Sequence, residues 1–306
     1  MNRGPFEQHQ CTMRIHHFLQ IILLSAIWGG TFVLLRVATP AVGVWGVAGI
    51  RSVLAAVVLA LLMLGTRHRW PHRSDWPRLA LVSLLTVVAT FVLFPLASLT
   101  LPAGYSAVLN TTAPLFGMLA ASAMGEERLT ARRLLGCVVG LAGVVLLVGL
   151  GPVEVTFNVV LAALACTAAA ASYGIGATLM KRAATRHDPL PVAAAVHVAA
   201  SLMLLVPLAA TAPRMHFTLS SALALLVLGT FTSGFMYWIS LRLMREISAT
   251  AAMSSAFMIP LFGVTWGYVF LGEPVTATMI PGVLLVLVAT LMVTGFNPFR
   301  AAPVEP

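Results

Sequence analysis

Pro114-Leu115-Phe116-Gly117, followed by Glu127, Thr130-Ala131 and Gly136, returns 146 residues later as Pro260-Leu261-Phe262-Gly263, Glu273, Thr276-Ala277 and Gly282. Leu141 then meets Leu287 and Gly149 meets Gly295, giving ten identities over the 36 positions from 114 to 149 without a gap. Scattered Leu or Ala matches between two apolar stretches carry little information. Matches of Pro, Glu, Thr and Gly at fixed offsets mark a duplicated unit.

Composition says what the unit is made of. The chain is 59% hydrophobic and 9% charged, with a mean hydropathy of +0.97, whereas a soluble domain carries about 25% charged residues. Lipid is therefore its solvent. A membrane helix needs about 20 apolar residues. Apolar segments run over 18–38, 43–65, 77–98, 102–124, 131–150, 157–180, 190–211, 219–241, 248–271 and 278–296. Breaks at Thr39-Pro40, Pro71, Pro102, Gly125, Gly151-Pro152, Pro189, Pro213 and Gly272 separate them. The expected fold is an all-α polytopic membrane protein of ten transmembrane helices. A tail, 1–17, precedes a first repeat over 18–150; a second repeat over 157–296 precedes a tail over 297–306. Five helices per repeat is an odd number, so the second copy enters the membrane from the opposite side and the repeats are inverted.

The basic residues agree with this count. Of the 18 Lys and Arg, 15 fall in the two tails and in alternate loops, for example Arg67, Arg69 and Arg73, or Arg128, Arg132 and Arg133. The other loops hold Arg36 and Arg214, and Arg51 lies inside the second span. Positive charge gathers on the cytoplasmic side of membrane proteins, which places both termini in the cytoplasm and the chain in the inner (plasma) membrane. The net charge of +9 is accounted for in this way. No basic stripe interleaves with aromatics, so nucleic acid is not an expected partner. Of the cysteines, Cys137 and Cys166 lie in apolar spans and Cys11 in the amino tail, a pattern with neither a disulfide framework nor zinc spacing. The apolar stretch after Arg14 is longer than a signal-peptide core and lacks a small-residue cleavage site, so it reads as a retained first span.

Three stretches carry a family resemblance. They are Ala26-Ile27-Trp28-Gly29-Gly30-Thr31-Phe32, then Pro114 with Gly125-Glu126-Glu127-Arg128-Leu129-Thr130, and a weaker second copy around Pro260 and Gly272-Glu273-Pro274. From about 18 to 296 the chain resembles the drug/metabolite transporter superfamily, in particular its ten-helix members with paired EamA domains. Two departures are Tyr173-Gly174, standing where Trp28-Gly29 stands in the first copy, and Glu126, a carboxylate added before the usual one. The resemblance implies a secondary transporter that exports small metabolites by alternating access. Amino acids, aromatic ones included, are the substrates it points to. A passive channel or facilitator for small polar solutes is the alternative, although no span carries the polar stripe a pore needs.

Candidate substrate-binding residues are those that converge on midspan depth. Pro114 and Pro260 each remove a helix hydrogen bond and free a carbonyl near Asn110 and Ala256; they line a cavity, or else merely bend their helices for packing. Asn110, Thr111, Thr112, Ser254 and Ser255 supply hydrogen bonds there, or else bond their own preceding turns. Trp28 places an indole N–H at midspan that needs a partner. Tyr237, near the inner end of its span, joins it. Phe91, Phe94 and Phe231 read as packing or lipid-facing rings, and Gly29 and Gly30 as sites of close helix approach. Arg51 and His197, themselves 146 positions apart, are the ionisable side chains well inside spans and should face the bundle interior. Arg51 holds a substrate carboxylate or ties down helix-end carbonyls. His197 is a neutral core residue or, if transport is proton-linked, the group through which the link runs.

Other chemistry is absent from the sequence. There is no phosphate-binding Gly-x-x-x-x-Gly-Lys-Ser/Thr loop, no His-Glu-x-x-His, and no Asp within a span, so neither an ATP-driven pump nor an intramembrane enzyme is expected. No catalytic residue and no cofactor is assigned. Glu127 and Glu273 sit at helix ends, with Thr130 and Thr276 placed to cap the next helix. His9, His16, His17, His68 and His72 have no carboxylate or cysteine companion in the sequence, so no metal site is expected. The implied partners are a small-molecule substrate and the lipid bilayer; the sequence leaves the oligomeric state open.

Overall fold

The computed structural model describes residues 15–101, 106, 109–148, 156–247, 251, 252, 254–271, 277 and 280–294. Both tails as far as residue 14 and from residue 295, the breaks at Pro102 and Gly151-Pro152, and Gly272-Glu273-Pro274 lie outside the described residues. Among the described residues every regular element is helical. Six stretches are long and apolar enough to cross a membrane: Ile15–Leu35, Val37–Gly65, Arg73–Ser98, Phe157–Arg186, Pro189–Arg214 and Leu219–Glu246. Ala113–Ala123 and Ile280–Thr294 are shorter apolar helices.

Helix α1, Ile15–Gly65, is two arms joined at Gly43, whose φ of +71° interrupts the helical geometry. That backbone region suits a residue without a Cβ. The sequence places the break at Thr39-Pro40; Pro40 instead stays inside the helix, and the chain turns three residues later. A rod over 73–98 follows, made of a short 3₁₀ turn, α2 (Trp76–Ser83), a π-helical segment Leu84–Val88 and α3 (Ala89–Ser98). Helix α4, Ala113–Ala123, starts after a turn at Thr111-Thr112 and carries Pro114 in its first turn. This corrects the reading of Pro114 as a midspan kink. In a first turn the N–H that proline lacks has no intrahelical partner anyway.

Helix α5 is Ala131–Val148 and α6 is Phe157–Arg186. Thr130 accepts from Arg133 N at 3.4 Å and Thr156 from Val159 N at 3.3 Å, which caps both starts. Helix α7, Pro189–Thr211, leads to α8 (Leu219–Leu226), opened by a reciprocal Thr218–Ser221 capping box. A second π-helical segment, Val227–Phe235, continues into α9, Met236–Glu246. Helices α10, Ser255–Leu271, and α11, Ile280–Thr294, complete the described chain. Pro260 lies inside α10.

The main packing runs between the first and second halves of the sequence. Helix α1 lies along α7, α10 and the second π segment, α3 and α4 lie along α6, and α5 lies along α11. The largest buried cluster therefore forms between the halves, around side chains such as Leu59, Met118, Met180, Leu204 and Phe257. Ion pairs gather at one end of the bundle. His17 meets Glu246 at 2.8 Å, His187 meets Asp75 at 3.5 Å, Arg245 meets Asp188 at 3.5 Å, and Arg182 pairs with Glu126. The Lys181 ammonium also donates to Ile247 O at 2.9 Å there.

His16 approaches the same Glu246 carboxylate at 3.9 Å. The expectation that these histidines lack an acidic companion is thus corrected. The companion is 229 residues away and becomes visible only when helix ends meet.

Candidate functional site

A cavity of about 130 Å³ opens inside the bundle. Helix α1 contributes Trp28, Thr31, Phe32 and, from its second arm, Arg51. The 73–98 rod contributes Thr86, Thr90, Phe91 and Phe94, and Tyr173 comes from α6. Thr232, Ser233 and Tyr237 line it from the α8–α9 rod, Asn110 from just before α4, and Ser255, Ala256 and Ile259 from the start of α10. The wall thus mixes aromatic rings with hydroxyls, and Arg51 is the one charged residue among the lining side chains.

Arg51 is held in place by two contacts. Its Nε donates to Ser233 Oγ at 2.5 Å, and its guanidinium carbon lies 3.9 Å from the centre of the Phe91 ring. A charge inside a bilayer is costly and faces the protein interior, and a cation over an aromatic face recovers about 2 kcal/mol when both are desolvated. Arg51 is 8% exposed, and among the described residues its two Nη groups make no hydrogen bond. They are the donors left over for a ligand.

Around it, several polar groups are similarly uncommitted. Thr31 Oγ1 is buried without a hydrogen-bond partner. The Asn110 amide and Ser255 Oγ make no hydrogen bond among the described residues. Trp28 Nε1 donates to the Thr232 carbonyl at 3.4 Å, which supplies the partner its indole needs. Tyr237 shares a 2.9 Å hydrogen bond with Thr86 and receives the edge of His197, ring centres 4.5 Å apart at 89°.

The structure brings Trp28, Arg51, Asn110, Tyr237 and Ser255 into one cavity. Pro114, Pro260 and His197 stand behind it, buried and outside the lining. Pro260 acts indirectly: without an N–H it leaves the Ala256 carbonyl unpaired in the helix, and Ala256 is a lining residue. His197 is fully buried, its Nδ1 3.1 Å from Ala193 O and its Nε2 without a partner. Thr112 and Ser254 bond the carbonyls of Leu109 and Ala251 in their own preceding turns, at 2.6 and 2.7 Å, and leave the site to Asn110 and Ser255. Phe91 and Phe94, read from sequence as packing or lipid-facing, are corrected to cavity walls. Phe231, read in the same way as packing or lipid-facing, is 43% exposed, stacked on Phe235 and outside the lining.

Two features were not legible. One is the pair of π-helical segments. Moved by 146 positions, Leu84–Val88 falls on 230–234, inside Val227–Phe235. π-Bulges concentrate at functional sites, and these carry Thr86, Thr232 and Ser233 into the cavity wall. The other is Trp266, whose Nε1 donates to the Ala26 carbonyl at 2.7 Å and ties α10 to α1 beside Trp28.

The profile of the EamA-like transporter family matches the chain twice, over 17–149 and 160–295. The chain belongs to the EamA-like transporter family. This EamA protein is similar to a protein of Bacillus subtilis (strain 168) named uncharacterized transporter YvbV, 25% identical over 280 residues, which are 90% of each chain. It is also similar to a probable terminal-alkyne amino-acid exporter of Streptantibioticus cattleyicolor, 27% identical over 267 residues, 83% of this chain and 84% of that one. A solved crystal structure superposes with a TM-score of 0.78 at 18% identity, covering 92% of the EamA protein and 99% of its own chain. At that identity the superposition shows the fold. The family and its relatives are membrane transporters, and nothing in them points to catalysis.

Proposed function

We propose that this EamA protein is a ten-helix secondary transporter, built as two inverted repeats over 18–150 and 157–296, that exports small amphipathic carboxylates, amino acids with apolar or aromatic side chains foremost. The observation that carries the proposal is Arg51, a single cation with unused donors in an aromatic cavity that contains no carboxylate. Arginine grips a carboxylate through paired N–H donors, and Trp28, Phe91, Phe94 and Tyr237 surround the rest of the ligand. An α-ammonium group rests on these ring faces and on the Asn110, Thr31 and Ser255 oxygens. The relative named as an amino-acid exporter supports the same class.

The ion pairs at one end of the bundle support a mechanism. Two of them, His187–Asp75 and Arg182–Glu126, join residues of the two repeats, and His17–Glu246 joins the last residue of the amino tail to the second repeat. With that end cytoplasmic, as the arginine distribution implies, they close the inner side. Rocking of one repeat against the other breaks them and opens the inner side.

The test is uptake and counterflow of labelled amino acids, their decarboxylated amines and their amides in proteoliposomes of the purified protein. Saturable counterflow of the amino acids, with no transport of the amines, is expected. Transport of amines and acids alike removes Arg51 from substrate recognition, and current at channel rates replaces the carrier with a pore.

A further inference from the structure

At the end of the bundle where the ion pairs gather, a second cavity, of about 390 Å³, lies between the 73–98 rod and α6. The rod lines it with Asp75, Arg78, Leu79 and Val82. Helix α6 lines it with Leu179, Arg182, Ala183 and Arg186. Both sets follow the i, i+3, i+4, i+7 spacing of one helix face, so two faces of like pattern confront each other across the cleft. In both, arginines stand toward the end of the bundle and leucine or valine stands deeper. Leu81, also in the lining, is 49% exposed, which leaves the cleft open sideways, where acyl chains lie.

The arginines are not equally engaged. Arg182 pairs with Glu126 and donates to Met124 O at 3.0 Å, and Asp75 is taken by His187. Arg78 and Arg186 make no ion pair or hydrogen bond among the described residues. Trp76, stacked on Trp70 with ring centres 6.2 Å apart, opens α2 just before the lining residues Arg78 and Leu79; such rings mark headgroup depth. Two uncommitted cations, apolar walls beneath them and a lateral opening fit an amphipathic anion with its charge at the headgroup level and its tail in the membrane.

We propose that this cleft binds an anionic phospholipid, its phosphate held by Arg78 and Arg186 and an acyl chain laid along Leu79, Val82 and Leu179. Free phosphate shares the headgroup chemistry but has no use for the apolar walls. The site is separate from the transport cavity and stands whatever the substrate is. Because it bridges the first repeat to the second, its occupant holds this end of the bundle together alongside the ion pairs.

The experiment uses the full-length protein in neutral detergent with three probes: dioleoylphosphatidylglycerol, dioleoylphosphatidylcholine and inorganic phosphate. Thermal midpoint is read during titration, and retained lipid is read by native mass spectrometry. Phosphatidylglycerol is expected to raise the midpoint and to stay bound, and the other two probes to do neither. Replacing Arg78→Gln and Arg186→Gln together is expected to weaken the apparent affinity by roughly tenfold to thirtyfold, with the lipid-free midpoint unchanged. Arg78→Lys with Arg186→Lys retains most of the response and serves as the second variant. Equal stabilisation by both lipids, or a phosphatidylglycerol response intact in the glutamine variant, overturns the site. Phosphate matching phosphatidylglycerol overturns the lipid as its occupant.

Discussion

A methyl group on Gly174 would come within 2.5 Å of the Ala113 carbonyl oxygen. Its counterpart by motif, Gly29, would place a Cβ 2.9 Å from the Ile259 carbonyl oxygen and 2.8 Å from Phe262 Cβ. Ala113 and Ile259 are themselves 146 positions apart and directly precede the two Pro-Leu-Phe-Gly stretches. Each copy of that stretch therefore docks on the glycine of the other half. Small residues let membrane helices pack backbone to backbone, where side-chain hydrophobicity gives no advantage over lipid. The repeated motif and the Trp-Gly or Tyr-Gly motif are two sides of one contact, made twice.

This contact makes Gly174→Ala costly. The two nearest atoms in the way are backbone atoms of α4 and the third is Phe116 Cβ, and none of them has a rotamer to change. Overpacking of this kind costs about 1–3 kcal/mol, and the thermal midpoint of the purified protein is expected to fall. Gly65→Ala is the control, because a Cβ there meets nothing within 4 Å. Equal midpoints for the two variants would show that α4 and α6 do not touch at this point.

Arg51 gives a prediction about substrate rather than stability. If its free Nη donors hold a carboxylate, Arg51→Gln loses a charge-assisted pair and apparent affinity falls about tenfold to a hundredfold. Arg51→Lys keeps the charge without the planar fork and recovers only part of it. The amide analogue of the same substrate is expected to be nearly indifferent to either change. Equal losses for acid and amide would make Arg51 a packing residue, held by Phe91 and Ser233 for the bundle's sake.

How far the sequence reaches is clear from these side chains. The 146-residue register is legible because Pro, Gly and Glu are rare enough in apolar spans for their coincidence to be informative. Arg51 and His197 stand out because ionisable groups in lipid need an explanation. Phe91 and Phe94 do not stand out, since an aromatic ring in an apolar span looks the same whether it faces lipid, core or cavity. The π-helical segments contain no proline to announce them, and the glycines of Val227–Phe235, Gly229 and Gly234, have no counterpart in Leu84–Val88. Pro114 is misread for a local reason: the turn at Thr111-Thr112 moves it from the middle of a helix to its start. His16 and His17 find Glu246 through tertiary packing, which no spacing along the chain encodes.

Orientation in the membrane is tested with single cysteines in a background lacking Cys11, Cys137 and Cys166. Trp70→Cys, on the arginine-rich side, is expected to resist an impermeant maleimide in intact cells and to react once the membrane is opened. His216→Cys, at the other end, where its backbone N–H donates to Ala41 O at 2.9 Å, is expected to react from outside without permeabilisation. The reverse pattern would invert the protein and move the ion-paired end to the exterior.

His197 decides the last question, whether a proton gradient drives transport. No carboxylate lies at midspan depth among the described residues, so His197 is the midspan side chain whose ordinary titration lies nearest neutrality. The structure gives it little opportunity to act. It is fully buried behind Phe91 and Tyr237, with ring centres 6.4 and 4.5 Å away, and is not in the cavity wall. Its one hydrogen bond among the described residues is to the Ala193 carbonyl of its own helix, and its Nε2 has no hydrogen-bond partner. A coupling residue must exchange its proton with both sides in turn, and among the described residues no hydrogen bond links this nitrogen to a relay. Exchange or facilitated movement of substrate is therefore expected, with no accumulation when a proton gradient is imposed between pH 5.5 and 8 across proteoliposomes. His197→Gln, which keeps a polar side chain of similar reach, is expected to transport with the same pH dependence as the parent. Gradient-driven accumulation by the parent that disappears in His197→Gln would reverse this and make the buried imidazole the coupling group.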